Sequence, residues 1–371
     1  MIGVGAPGQA AVRGGRASER DCWIAVSQVP GIGPAGFAQL IRRHGSASEA
    51  WRYGIDHAAG DDPREIARRL DRRTQAAGGR IVTGLDEEYP LALRTLEPRP
   101  PTLFIAGDGT ALAIRAVAIV GTRRASGYGL TTAAELADDL GRSGMAVVSG
   151  LALGIGGAAH RAAVAAGARS VAVLPSPLDR VYPPRHRSLA REIVRSGGAL
   201  VTEVAVGSPV GRPDFARRNR VIAGLAEAVV VIEAPDRSGA LLTASAAIGI
   251  GRELYAVPGP IDALASRGCN RLIADHDAVM VTSVTALMRL IGASRGARPP
   301  AVNALSEVEG QLLRHLLERS GSIEELVDRT GQPPASVASA LTLLESRGLV
   351  NPFGGATFHP TLAARRLAGV I

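Results

Sequence analysis

The chain has 371 residues, of which 46% are apolar and 20% charged, a composition typical of two or three folded domains rather than of a disordered protein. All 42 basic residues are arginine, and the absence of lysine excludes Walker A phosphate-loop proteins, protein kinases and pyridoxal phosphate enzymes, whose sites each need one. The two cysteines, Cys22 and Cys269, are too few for a disulfide framework or a thiolate zinc site.

No apolar run approaches the roughly 18 residues of a membrane span, and residues 1–20 lack the apolar core of a secretion signal. We therefore expect a cytoplasmic protein without membrane contact. The formal net charge is +8, and residues 101–292 contribute +5 through 20 arginines and 15 acidic residues. This distribution favours a polyanionic partner for the middle of the chain.

Composition and periodicity divide the chain into five segments. The glycine-rich turn Val29–Pro34 lies between two helical patterns and resembles a helix-hairpin-helix, which could hold a phosphate or simply connect the helices. Residues 81–105 are proline-rich and are predicted to form an irregular extended bridge. The predicted segments are a disordered tail (1–19), an N-terminal helical domain (20–85), an extended Rossmann-like domain (86–292), a linker (293–301) and a winged-helix-like domain (302–371).

Seven short apolar runs alternate with helical stretches from residue 116 onward. Nearly continuous apolar runs are typical of strands buried on both faces. This rhythm predicts a doubly wound, mostly parallel α/β sheet, with the ligand beyond the carboxyl ends of its strands. The predicted strands are Ala116–Gly121, Met145–Gly150, Ser170–Leu174, Ala199–Val204, Ala228–Ala234, Glu253–Val257 and Ala278–Thr282.

The loops after these strands are rich in glycine, hydroxyl and arginine residues. Residues 121–129 join a strand to a helix start, an arrangement that binds anions, and Arg123 there suggests a fork for phosphate oxygens. Arg217, Arg218 and Arg220 crowd the first turns of an apolar helix, where the helix dipole disfavours cations, so this cluster favours a polyanion. Aromatic residues near the same strand ends could stack on unpaired bases.

These residues carry a resemblance to the DNA-processing protein DprA/Smf family. The matching stretches are Ala118–Arg123 with Ser126 and Tyr128–Gly129, Ser149–Ala152, Ala159–His160, Leu178–Asp179, Tyr182–Pro183, Arg218–Asn219–Arg220 with Ile222–Leu225, Glu233–Ala234, Ser238–Leu241, Gly251–Arg252, Ala256–Gly259 and Gly268–Asn270.

The resemblance implies a Rossmann-like core that binds single-stranded DNA without strong sequence preference. It also implies a homodimer that loads the RecA recombinase during natural transformation or recombination. We expect no catalytic residue, cofactor or metal. Taking the matched motifs and the strand-end loops together, the expected DNA-binding residues are Gly121, Thr122, Arg123, Ser126, Gly150, Arg185, Arg187, Phe215, Arg217, Arg218, Asn219, Arg220 and Ser238.

The sequence departs from the family pattern at several positions near the expected pocket. Gly154–Gly156 stands where the family has Gly-Ile-Asp, Pro175–Leu178 replaces a Gly-x-Gly-Leu turn, and His276–Asp277 replaces a Gly-Ala pair. A basic residue that is often lysine near Tyr182–Pro183 can only be arginine here.

Two other functions remain open from the residues alone. A nucleotide-processing enzyme of the phosphoribohydrolase type could use Glu203, Glu233 or His160 as acid or base. A duplex-binding regulator could use helix 334–347 of the winged helix, but its near-neutral face is poorly suited to phosphates and favours a protein contact.

Overall fold

A computed structural model describes residues 17–55, 62–292, 305–347, 349–353, 357–360 and 364. The predicted linker and most of the predicted tail lie outside these residues. The helices are α1 (Glu19–Ser27), α2 (Pro34–His44), α3 (Ala47–Glu49), α4 (Pro63–Ala76), α5 (Leu91–Arg94), α6 (Gly127–Arg142), α7 (Ile155–Ala165), α8 (Arg187–Arg195), α9 (Arg212–Leu225), α10 (Gly239–Gly249), α11 (Arg267–Ala274), α12 (Val284–Leu290), α13 (Glu307–Glu318), α14 (Ile323–Thr330) and α15 (Pro334–Ser346).

The central sheet has nine strands in the described part of the chain. They follow the order β1-β2-β6-β5-β4-β3-β7-β8-β9. Strands β3 to β9 pair in parallel, whereas β2 pairs antiparallel with both β1 and β6. The strands of this sheet are β1 (Gly79–Thr83), β2 (Thr102–Gly107), β3 (Ala116–Gly121), β4 (Ala146–Ser149), β5 (Ser170–Val173), β6 (Ala199–Thr202), β7 (Ala228–Ile232), β8 (Glu253–Ala256) and β9 (Val279–Met280).

The mostly parallel, doubly wound fold predicted from the apolar runs is confirmed. Each of the seven predicted runs contains one of the strands β3 to β9. On β3, β4, β7 and β8, residues of alternating parity enter two separate core clusters, one on each face of the sheet. In β3, Ala118 packs on one side and Val117 and Ile119 on the other. Burial on both faces is the reason these strands have apolar residues at consecutive positions.

The interpretation of residues 81–105 as an irregular bridge is wrong. This segment contains most of β1 and the first part of β2, which pair in register from Gly79 with Ala106 to Thr83 with Thr102. The paired strands β1 and β2 lie on either side of the predicted boundary at residue 85. The domain boundaries stay predictions.

The N-terminal helices enclose a small core. Trp23 of α1 packs edge to face against Phe37 of α2, with ring centroids 4.7 Å apart. Ser18 caps α1 in a reciprocal arrangement with Asp21. Between α1 and α2, Gly31 adopts a φ of 83°, a conformation that glycine reaches without strain. A phosphate contact at this turn stays a prediction.

The C-terminal part is the expected winged-helix module. Helices α13, α14 and α15 accompany a three-stranded sheet of order β10-β12-β11, formed by Gly321–Ser322, Thr357–Pro360 and Val350–Phe353. Ser322 and Glu325 form a capping box at the start of α14, since Ser322 Oγ accepts the Glu325 N–H at 3.2 Å and the Glu325 carboxylate accepts the Ser322 N–H at 3.0 Å. Residues 354–356, between β11 and β12, lie outside the described residues.

Candidate nucleic-acid interface

A cleft of about 360 Å³ lies at the carboxyl ends of the central strands. Its walls come from the loops after β3, β4 and β7 and from the first turns of α9 and α10. Strand β3 lies between β4 and β7 in the sheet, so the chain winds outward in both directions from this point. Ligands of open α/β sheets bind at such a reversal of strand order.

The cleft is strongly cationic. Arg123, Arg124, Arg218 and Arg237 line it, and none of the described lining residues is acidic. These four arginines form no ion pair with any residue in the described part of the chain. Uncompensated guanidiniums at close quarters repel one another, and an anionic ligand would relieve that repulsion.

Arg218 is the central cation of this group. It is partly buried, and its Nε–H has no hydrogen-bond acceptor among the described residues. Burial, followed by repulsion from Arg123, lowers the pKa of Arg218 to about 10, so the side chain is still protonated at neutral pH. A buried, charged group without a partner is costly, and a phosphate oxygen would satisfy both its charge and its donors.

A small, largely apolar niche of about 30 Å³ adjoins the cleft. Tyr182 and Phe215 meet there edge to face, with ring centroids 5.9 Å apart. Arg123 lies over the Phe215 ring, with its guanidinium carbon 5.7 Å from the ring centroid. Pro175 and Pro183 complete the wall, and Tyr182 remains 42% exposed. Aromatic rings beside arginines can stack with bases while the arginines hold phosphates.

Several predicted site residues hold the walls of the cleft in place. The backbone N–H of Thr122 donates to the Glu233 carbonyl at 2.7 Å. Ser238 Oγ caps α10 by accepting the Ala240 N–H at 3.2 Å. Asn219 Nδ2 donates to the Gly239 carbonyl at 3.2 Å, which ties α9 to the start of α10. Ser238, Gly239 and Ala240 at the start of α10 line the cleft.

The glycines of the site leave room for neighbouring groups to lie close to the backbone. A Cβ at Gly150 would overlap the Arg218 guanidinium, and one at Gly121 would overlap the Ile232 carbonyl of the neighbouring strand. The departure Gly156 also lines the cleft, where a Cβ would lie 2.9 Å from Ser149 Oγ.

Five expected DNA-binding residues do not line the cleft. Arg217 pairs with Asp214. Arg220 is bound to Glu203 at 2.7 Å and to the Pro98 carbonyl, with only 16% and 9% of the Arg220 and Glu203 side chains exposed. Both guanidiniums are thus engaged in ion pairs within the chain, and we leave them out of the proposed contact surface.

The other three lie at helix starts. Arg185 and Arg187 are exposed around the first residue of α8, outside the lining of the cleft. Ser126 caps α6 by accepting the Gly129 N–H at 3.1 Å, and its own N–H and hydroxyl donate to the Glu233 carboxylate. A DNA contact by any of these three stays a prediction.

The residues proposed for an enzymatic alternative have internal partners. Glu233 is buried and receives both donors of Ser126. His160 is fully buried; its Nδ1–H donates to Ser170 Oγ at 2.7 Å and its Nε2 accepts the Leu151 N–H at 3.3 Å. Burial lowers its pKa to about 3. Burial also raises the pKa of Glu203 to about 6 against the opposing effect of Arg220, but Glu203 does not line the cleft.

Sequence reasoning missed Arg124 and Arg237. Arg237 is an isolated arginine in the loop after β7, where only the hydroxyl residues attracted attention. A rule that collects every basic residue within five positions of a parallel strand's carboxyl end would have found both.

In the part of the chain that the structure describes, no helix has the length and apolarity needed to cross a membrane.

Two family models match most of this chain. Residues 80–292 match the family model of DNA recombination-mediator protein A, and residues 296–356 match that of the DprA winged helix domain. The chain is 37% identical to the putative DNA processing protein DprA of Mycobacterium tuberculosis over 90% of both chains. It is 35% identical to protein Smf of Escherichia coli over 73% of this chain and 74% of that protein.

Two solved structures are also similar. DNA processing protein A from Streptococcus pneumoniae matches with a TM-score of 0.59 and 27% identity, over 74% of this chain and 98% of that one. The Helicobacter pylori protein, whose structure is described in terms of its single-stranded DNA binding mode, matches with a TM-score of 0.52 and 26% identity, over 57% of this chain and 95% of that one. The chain belongs to the DNA recombination-mediator protein A family, known as DprA or Smf.

Proposed function

We propose that this protein binds single-stranded DNA in the cleft at the carboxyl ends of β3, β4 and β7, without strong sequence preference and without chemical change to the strand. The observation that carries the proposal is a cleft lined by four arginines that have no carboxylate partner among the described residues. The description of the Helicobacter pylori relative as a single-stranded DNA binder supports it.

Different side chains of the site would bind the phosphate backbone of the DNA and its bases. Arg123 and Arg218 would hold phosphate oxygens. Tyr182 and Phe215 would receive unstacked bases, a contact worth about 1–3 kcal/mol per base. Phosphates and ring faces are common to all sequences, which is why we expect little sequence preference.

We further propose that the bound strand is passed to the RecA recombinase and that the protein acts as a homodimer. The match to a recombination-mediator family supports the first part. For the second, β9 is an edge strand whose Val279 and Met280 are exposed, and Ile261 and Leu264 in the segment between β8 and α11 are 91% and 64% exposed. An exposed apolar edge of this kind favours pairing with a second copy. Measurement of RecA filament assembly on DNA, with and without the protein, tests the first part. Sedimentation of the Ile261→Arg variant tests the second.

Binding titrations with oligonucleotides test the central proposal. We expect tighter binding to single strands than to duplex, with a logarithmic salt slope of about 0.7 per neutralised phosphate. Arg123→Ala and Arg218→Ala should each weaken binding alike for all sequences and reduce that slope. Arg142→Ala, at the far end of α6, removes the same charge away from the cleft and should change neither.

Equal affinity for duplex, or unchanged binding by the Arg123→Ala/Arg218→Ala double variant, would contradict the proposal. Hydrolysis of a nucleoside monophosphate that Glu233→Ala abolishes would instead support the enzymatic alternative.

A further inference from the structure

Two chain segments lead away from the apolar niche side by side. One is the loop that follows β5, and the other runs from the end of β6 into α9. They meet at the niche, where the Tyr182 and Phe215 rings lie 5.9 Å apart. They meet again farther along, where the Arg180 guanidinium donates to the Ser208 carbonyl at 2.7 Å. The two contacts define a continuous surface that begins at the cleft.

Helix α4 closes the far end of this surface. Its Ala67 and Leu70 share a core cluster with Leu178 and Ala205 from the two segments. At its last turn, Arg73 Nη1 lies 3.6 Å from the position that a Cβ would take at Gly207. Arg73 and Arg180 therefore both lie beside the loop that contains Gly207 and Ser208.

The charges at this end are not compensated. Of the arginines on α4, Arg64 and Arg72 pair with Asp62 and Glu65 at 2.7 and 3.3 Å. Arg69 and Arg73 are exposed and have no ion pair within the described residues.

Arg69 and Arg73 are also one turn apart, a spacing at which like charges destabilise a helix. Arg180 donates to a neutral carbonyl, which leaves its charge without a counter-ion. An anion running past these three residues would remove the repulsion.

We propose that the DNA strand continues from the cleft along the paired segments 174–183 and 203–215 to the Arg69–Arg73 face of α4; this inference rests on the proposed function of the cleft. The extension binds phosphates only. Helix α4 has no aromatic residue, so it has nothing on which a base could stack. The contact is independent of sequence and sensitive to salt.

The extension makes a length-dependent prediction. A short oligothymidine, about 6 nucleotides, fills the cleft alone, whereas one of about 20 nucleotides also reaches α4, by comparison with known site sizes. The double variant Arg73→Ala/Arg180→Ala should bind the long strand several-fold more weakly than the unchanged protein does. Its logarithmic salt slope for the long strand should fall by about 0.7 per residue, while the affinity for the short strand stays the same. Arg180→Lys keeps the charge and a donor and should restore most of the affinity of Arg180→Ala.

Two controls separate this inference from the proposed function. Arg195→Ala removes an exposed arginine at the far end of α8 and should leave both strand lengths unaffected. Arg218→Ala should weaken both lengths. The extension is wrong if the Arg73/Arg180 double variant binds the long strand normally, or if it loses affinity equally for both strand lengths. The proposed function of the cleft still holds in that case, provided that Arg218→Ala lowers the affinity for both lengths. If Arg218→Ala changes neither length, the cleft itself is wrong.

Discussion

Gly150 lies directly beneath the guanidinium of Arg218, so the smallest residue in the cleft positions its central cation. A Cβ at this position would occupy the space of that guanidinium. The glycine is therefore required for close approach rather than for backbone freedom, since its φ lies outside the left-handed range.

Gly150→Ala should displace Arg218 and weaken binding of single-stranded DNA by about tenfold, or ~1.4 kcal/mol. The affinity for oligothymidine, measured by fluorescence anisotropy, checks this. Gly127→Ala is the matched control, because a Cβ there meets open space. Adding Gly150→Ala to Arg218→Ala should cost little more, since both changes remove one interaction; full additivity would count against the mechanism.

His160 anchors the floor of the same cleft. It accepts the N–H of Leu151, which has a φ of 53°, while His186 donates to the Leu151 carbonyl at 2.8 Å. A residue other than glycine in the left-handed region is strained, so these hydrogen bonds hold the loop that contains Gly150.

The lowered pKa of His160 makes stability depend on pH. The unfolded side chain takes up a proton below its ordinary value of 6.5, whereas the folded one stays neutral down to about 3. The contribution of His160 to stability is therefore complete above pH 6.5 and is lost as pH falls toward 3. Between pH 7 and pH 5 the wild-type protein should lose about 2 kcal/mol more unfolding free energy than His160→Gln.

Urea unfolding at the two pH values measures this difference. Glu203 acts in the opposite direction, because its raised pKa contributes stability that is present below 4.5 and lost as pH rises through about 6. Both proteins contain Glu203, so its effect cancels from the comparison. If the unfolding free energy of both proteins changes equally with pH, the pH dependence does not come from His160.

At the scale of elements, the cleft depends on helices that start at the sheet edge. The loop after β7 crosses to the start of α6, where the Glu233 carboxylate accepts the N–H of Ser126 at 2.8 Å and its hydroxyl. Ser126 in turn caps α6. One carboxylate thereby fixes the spacing between two loops that line the cleft.

Glu233→Ala should therefore act on stability rather than on binding. Loss of the acceptor for Ser126 should lower the unfolding free energy by about 1–2 kcal/mol. The salt slope of DNA binding should stay the same, because Glu233 does not line the cleft. Thermal unfolding and a salt titration measure both effects. A strong loss of DNA affinity at unchanged stability would place Glu233 in the binding site instead.

At the scale of the whole molecule, the proposed DNA site and the winged helix are built separately. The winged helix has a core of its own, formed by residues between 305 and 364. Its helix α15 contains no basic residue, and the adjacent Arg347 is paired with Glu309 at 3.2 Å. Neither observation favours a phosphate-binding face on this module.

Removal of residues 293–371 should leave the affinity for single-stranded DNA within about twofold, or ~0.4 kcal/mol, of the full chain. Titrations of both proteins with single strands and duplex measure this. The alternative of a duplex-binding regulator would be supported if the full chain prefers duplex and the truncated protein no longer binds it.

The sequence alone determined the strands of the parallel sheet. A buried strand is a local apolar run, and seven such runs were visible without knowledge of their neighbours. β1 and most of β2 were missed because charged and proline residues lie around them, and their pairing depends on contacts between distant residues.

The roles of the arginines were decided by the tertiary structure. Arg217, Arg218 and Arg220 lie within four positions of the sequence and looked alike. A helix turns by about 100° per residue, so neighbouring side chains face different surroundings. Arg220 meets Glu203, which is 17 residues away, whereas Arg218 meets the loop after β4. Sequence shows how many charges a segment carries, but ion pairing depends on which distant carboxylates the fold brings within reach, and that decides which charges stay available for DNA.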